Sequence, residues 1–214
     1  MSIASLIQDV REDIIDDVGL QKRLSDSQLT RFANEAIKEA CIRAPLLVTT
    51  KTFKVIAGKS EYKLDEFTRQ IIDVKFSLSP HPLRQETDDG LSLTYGSDWK
   101  LRAAPPTHYT RLNRVLRIYP IPVVDDVLSV KMSRIPDDDF DLDEDIDPSY
   151  YDSFKYYVAY KAFSQRDNDN YDPVKASSFL ELFNSMFGTK HSAKYDTVNF
   201  NTPMYATVTS GRMC

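Results

Sequence analysis

The residue types that perform most catalysis are thinly spread in this chain. The three histidines, His81, His108 and His191, lie far apart, and the two cysteines are Cys41 and Cys214. No serine sits in a nucleophile elbow, and neither an HExxH pair nor a phosphate-cradling glycine loop occurs. Two cysteines cannot build a disulfide framework or a zinc site of ordinary Cys/His spacing. Cys41 falls beside a helical apolar stripe, which reads as a packing thiol rather than a nucleophile. Glu86, Asp88 and Asp89 lie near Trp99 and are nominal candidates for paired acid–base work on a glycoside. Nothing in their spacing supplies a placed partner, so a polar surface loop is the better reading. The sequence therefore predicts no catalytic residue, no metal site and no cofactor. A structural or binding role is expected.

Charge gives more. The chain has 214 residues with 27 basic and 32 acidic side chains, a formal charge of −5. Eight of the acids fall between residues 137 and 147, DDDFDLDEDID, and without them the charge becomes +3. Asp137, Asp138, Asp139, Asp141, Asp143, Glu144 and Asp145 thus form one candidate acidic surface. Alternating aspartates resemble a calcium loop, but the run has no glycine for the sharp turn, and no helix precedes it. A solvated loop that also favours the start of the next helix is the simpler reading. Basic residues gather mildly at Arg102, Arg111, Arg114 and Arg117, with Tyr109 nearby. They could face a phosphate or an acidic partner, or simply form the solvent face of a sheet. No apolar run approaches the roughly 18 residues of a membrane span, and Met1–Val10 lacks the basic-then-apolar order of a signal peptide. No membrane partner is expected.

These residues must be positioned by α+β architecture. Ile3, Leu6, Ile7, Val10, Ile14 and Val18 follow helical spacing, with Gly19 as a stop. Ser25-Asp26-Ser27-Gln28 is a capping box opening a second helix, whose stripe runs from Leu29 through Phe32, Ala33, Ala36, Ile37, Ala40 and Ala44. Pro45 ends it, because proline disfavours helical geometry at the residue before it. From residue 49 to 136 the pattern becomes strand-like. Phe53–Ile56 and Tyr62–Leu64 read as a hairpin around Ala57-Gly58, while Ile71–Phe76, Val115–Tyr119 and Val127–Met132 read as further strands. Residues 80–106 read as loop-rich. Helices return at Asp147-Pro148 and Asp172-Pro173, each an N-cap followed by proline at the first helical position. Asp167–Asn170 would be the turn between them.

The expected organisation is a pair of N-terminal helices (1–48), a small antiparallel β insertion (49–136), an acidic loop (137–147), and a C-terminal helical hairpin (148–190). The two helix pairs should complete one four-helix bundle, since each alone leaves an apolar stripe uncovered. Residues 191–214 would form an extended arm. Tyr195, Phe200, Met204 and Tyr205 are scattered there among Thr, Asn, Ser and Pro, which suits a segment that docks on a partner's groove or sheet edge.

The ordered set of motifs resembles bacteriophage head-to-tail adaptor (connector) proteins. It comprises Ser25–Leu29 leading to Asn34-Glu35-Ala36, Val55–Tyr62 with its AG…Y turn, Leu116–Pro122 ending in Pro-x-Pro, and Tyr150–Ala162 before an Asp-rich turn. The likeness spans about residues 3 to 190; the long acidic run and the arm depart from it. The resemblance implies a ring, commonly of twelve copies, between the portal of the capsid and the tail proteins, with genome DNA passing through the lumen without sequence-specific binding. It implies location in the virion after assembly in the host cytoplasm. A cell-wall polysaccharide hydrolase and a neighbouring tail-tube or stopper component are the alternatives.

Overall fold

The computed structural model describes residues 2–15, 23–137, 146–166 and 171–189. It has a mixed α+β fold. In chain order the described elements are α1 (Ile3–Val10), α2 (Asp26–Arg43), β1 (Leu47–Val55), β2 (Glu61–Lys63), β3 (Thr68–Phe76) and β4 (Arg84–Gln85). Then come α3 (Asp88–Tyr95), β5 (His108–Leu112), β6 (Val115–Tyr119), β7 (Asp126–Arg134), α4 (Tyr151–Phe163) and α5 (Pro173–Phe187). The chain divides into two compact units. Among the described residues, the first draws on the stretches 2–49, 67–70 and 132–189, the second on 50–66 and 71–131.

In the first unit, α1 is capped by Ser2, whose side chain accepts from the Ser5 amide, and the chain continues as a π-type turn, Arg11–Ile15. The helix expected from Ile3 to Val18 is continuous as far as Ile15 among the described residues, changing from α to π type at Arg11. Arg11 follows the last residue of α1 and is only 5% exposed. Its guanidinium donates to the Leu24 carbonyl and to Asp26, both at 2.7 Å, joining this turn to the start of α2. The capping box of α2 has both its bonds: the Gln28 amide donates to the Ser25 hydroxyl, and the Ser25 amide to the Gln28 side chain. Helix α2 stops at Arg43, and Ala44 before Pro45 is extended, as the proline requires.

Helix α4 packs against α1, α2 and α5. Its buried residues Tyr151, Phe154, Val158, Ala159, Ala162 and Phe163 leave no continuous polar side, which is the signature of a helix enclosed by others. Ala33, Ala36 and Ala40 of α2 and Ala159 and Ala162 of α4 are fully buried, and their small side chains let the two backbones approach. Leu29, Phe32, Phe154, Val158 and Phe183 lie in the same core cluster, each worth about 1.5–3 kcal/mol of burial. Asp172 caps α5 by accepting from the amides of Val174 and Lys175 at 3.0 Å.

The β region is organised differently from a single antiparallel unit. Strands β1, β7 and β3, in that order, form one sheet, and β2, β6, β5 and β4 form another. In the second sheet, β2 and β5 flank β6 in antiparallel register, with Tyr62 opposite Leu116 and Thr110 opposite Arg117. Strand β4 joins β5 in parallel, with Arg84 opposite His108. The hairpin expected from Phe53–Ile56 and Tyr62–Leu64 is therefore not a ladder. The turn at Ala57-Gly58 exists, with Gly58 at φ +84°, but its two arms enter different sheets. What remains between them is side-chain contact: the Phe53 and Tyr62 rings meet edge to face at 5.8 Å.

The stretch expected to be loop-rich, residues 80–106, holds β4, α3 and a 3-10 turn at Ser97–Leu101. Thr87 caps α3 by accepting from the Gly90 amide, and Asp88 and Asp89 occupy its first turn, where carboxylates favour the helix dipole. This helix carries Leu91 into a small separate core with Trp99 and Tyr119.

Candidate functional site

The four arginines singled out as a basic patch all lie in the second unit, and the structure gives most of their charge a local partner. Arg117 projects from β6 with its side chain 24% exposed. It reaches Glu61 of β2 on one side and Asp88 of α3, at 3.1 Å, on the other. Its guanidinium lies 5.9 Å from the centre of the Trp99 ring. Lys100 approaches Asp88 at 3.8 Å and the same indole at 5.3 Å. Arg114 faces Glu66 at 3.5 Å, Arg111 donates to the Asn113 carbonyl, and Arg102 stands over Tyr95 at 5.7 Å. Of the four, Arg117 alone ties a sheet strand to α3; Arg111 and Arg114 are held by Asn113 and Glu66, and Arg102 stands over an α3 ring.

An aromatic cluster lies behind them. Trp99 is 2% exposed, donates from its indole nitrogen to Ser92 at 2.9 Å, and meets Tyr119 edge-on at 5.4 Å. Tyr95 contacts Tyr119 and His108. Burial lowers the pKa of the His108 ring from its ordinary value, with Glu86 opposing the change and Arg84 adding to it. His108 therefore favours the neutral ring. Tyr109 on the same strand is pushed up to about 12 by burial and by the Asp73 charge.

Two of the three carboxylates considered for glycoside chemistry have other partners, and Asp89 lies in the first turn of α3. Asp88 holds Arg117 and Lys100, and Glu86 accepts from the Thr87 amide at the start of α3. They border a shallow open depression of about 210 Å³ with Thr110 and Arg111. Among the described residues, no group of three or more His, Cys, Asp or Glu is placed to hold a metal. Cys41 is buried, and burial pushes its thiol up to about 12, so it packs in the helical core. Among the described residues no helix is long and apolar enough to cross a membrane.

One end of the second unit is an exposed apolar surface built from three turns. The Ala57 amide donates to Asp125 and the Gly58 amide to the Pro122 carbonyl, both at 2.8 Å. Asp126 accepts from the Ser77 hydroxyl and the Leu78 amide. Ile56, Leu78, Val123, Val124 and Val127 project there, between 46% and 73% exposed. Burial alone would raise the Asp126 carboxyl, but hydrogen bonds from Ser77, Val127 and Leu78 outweigh it and hold the group below its ordinary value.

In the first unit the charged residues concentrate where helices meet. Lys155 of α4 bridges Asp9 and Asp152, both at 3.0 Å, and Lys161 reaches Glu35 at 2.8 Å. Arg43, the last residue of α2, pairs with Glu39 and also reaches the end of α5, donating to the Asn184 side chain and the Gly188 carbonyl. Tyr157 stands beside this group and is pushed up to about 12 by burial and by the charges of Glu39 and Glu35. Sequence reasoning missed the Arg43 cluster. Glu39 and Arg43 are spaced i,i+4 on a helix, which was the available signal, but Asn184 lies 141 residues away.

Of the acidic run, Asp137, Ile146 and Asp147 are described. Asp137 pairs with Arg134 at 2.8 Å, and Asp147 caps the turn before α4 by accepting from the Ser149 amide. Asp138, Asp139, Asp141, Asp143, Glu144 and Asp145 lie outside the described residues, as do Asp167–Asn170 and Tyr195, Phe200, Met204 and Tyr205 of the arm.

The family described as SU10 adaptor protein matches residues 1–206. The chain belongs to that phage adaptor family, a class of structural proteins. Among curated proteins, none matches this chain.

Proposed function

We propose that the chain is a head-to-tail adaptor of a bacteriophage virion. Copies of it form a ring, a dodecamer by family resemblance, between the portal and the tail proteins, and genome DNA passes through the lumen. In this reading the four helices α1, α2, α4 and α5 act as one bundle in the ring wall. The β insertion and the acidic loop (137–147) present surfaces to neighbours. The arm (191–214) docks on the portal through Tyr195, Phe200, Met204 and Tyr205.

The observation that carries this reading is the family match over residues 1–206. The local pairing of Arg114 and Arg117 supports it, because a channel that lets DNA slide gains from a surface that does not grip phosphate. The test is removal of residues 192–214 followed by copurification with portal-bearing capsids. The shortened chain is expected to keep its helical circular dichroism and to lose attachment. Attachment at the level of the full chain would overturn the docking arm. Failure of the full chain itself to copurify with such capsids would overturn the adaptor reading.

A further inference from the structure

The end of α5 is held from an unexpected direction. Helix α5 finishes at Phe187, and Gly188 turns the chain with φ +81°, a conformation that side-chain-bearing residues rarely adopt. The Gly188 amide closes on the Asn184 carbonyl at 2.8 Å. The Gly188 carbonyl then accepts from Arg43 at 2.8 Å, and a second bond from the same Arg43 nitrogen goes to the Asn184 side chain. Two further donors of the guanidinium fork go to Glu39 at 3.0 and 3.1 Å, and its central carbon lies 4.9 Å from the centre of the Phe183 ring. The Arg43 side chain is only 6% exposed and that of Glu39 11%. Phe187 completes the arrangement, buried and stacked on Phe154 at 5.7 Å with the planes 8° apart.

A nearly dry ion pair is a costly way to gain stability, because desolvating two charges offsets much of their attraction. What such a pair does supply is defined geometry. Arg43 is also the right side chain for it: a planar fork with five donors can serve Glu39, Asn184 and Gly188 together, whereas a lysine ammonium is a point charge.

We infer that Arg43 is a positioning residue that fixes the point and direction at which the chain leaves α5 toward residues 191–214, so that the arm meets its partner pre-aimed. The inference rests on the docking-arm reading above. An arm that leaves a fixed exit loses less freedom on binding than one that pivots, and pre-organisation of this kind raises affinity without adding a contact. Arg43 need not touch the partner to do so.

The experiment uses the full chain with Arg43→Lys, Asn184→Ala and, separately, a triple substitution of Tyr195, Phe200 and Tyr205 to alanine. Amide hydrogen exchange is measured on the free protein, and attachment to portal-bearing capsids on the same samples. Arg43→Lys should speed exchange at residues 187–189 about tenfold, leave the amides of α4 as protected as before, and weaken attachment about tenfold. Asn184→Ala should do the same to a lesser degree. Unchanged exchange at 187–189, or faster exchange throughout the helices, would reduce Arg43 to a structural ion pair. Loosened exit amides with undiminished attachment would overturn its effect on docking. If the triple arm variant attaches normally, the docking-arm reading itself fails; the exchange data still judge whether Arg43 holds the exit.

Discussion

Replacing Arg117 by glutamine separates two views of the basic residues between 102 and 117. The side chain faces two carboxylates and one indole, and each contact has a known scale. The pair with Glu61, whose side chain is 55% exposed, is worth about 0.5 kcal/mol, and the pair with the less exposed Asp88 about 1 kcal/mol. Contact with the Trp99 face adds about 0.5–1 kcal/mol. The total is about 2 kcal/mol, with Asp88 keeping Lys100 after the substitution. Trp99 is the sole tryptophan, so its fluorescence reports on this cluster directly during urea unfolding. The midpoint should fall with the slope unchanged. Near 1 M salt, where screening acts within about 3 Å, the gap between variant and parent should narrow. A double-mutant cycle with Asp88→Asn should return a coupling of about 1 kcal/mol. An unchanged midpoint, or a salt-independent loss, would refute the view of Arg117 as a tie between β2, β6 and α3. A change confined to DNA retention would restore the phosphate-facing alternative.

Three further outcomes are expected. With Cys214 replaced by serine, Cys41 should resist thiol reagents in the native chain and react once urea unfolds it, since its thiol is pushed up to about 12; fast native labelling would contradict its burial. The Asp126 carboxyl sits below its ordinary value, so it stabilises the three-turn apolar end above the usual carboxylate range and loses that contribution as pH falls through the folded value. Exchange at Leu78 and Val127, corrected for its intrinsic pH dependence, should quicken below about pH 4, and Asp126→Asn should remove that transition. Phe183→Ala should cost about 3–5 kcal/mol by denaturation, because the ring is fully buried between Tyr157 and Phe187 at 4.9 and 4.8 Å.

What could be read from the sequence was whatever a few neighbouring residues settle among themselves. The capping box at Ser25 and the Asp-Pro starts at 147 and 172 depend on hydrogen bonds within four residues, the stop before Pro45 on a clash with the next residue, and all are present. The strands near Ile71, Val115 and Val127 follow from alternation. Helix α3 was legible in principle, since Thr87-Asp88-Asp89 is a cap with acids behind it. Its eight residues, with Gly90 among them, gave too few apolar positions to show a period.

By itself, then, the sequence determined the order of the long helices and main strands, several helix ends and the uneven placement of charge, with acidity concentrated in residues 137–147. Only the tertiary structure decided that β1 and β2 part into different sheets, and that Arg117 is spent on Glu61 and Asp88. It alone brought Arg43 to the far end of α5. The physical reason is range. Periodicity and capping act over one or two helical turns, whereas these partners lie 56, 29 and 141 residues apart, and nothing local specifies which carboxylate or carbonyl a side chain will meet.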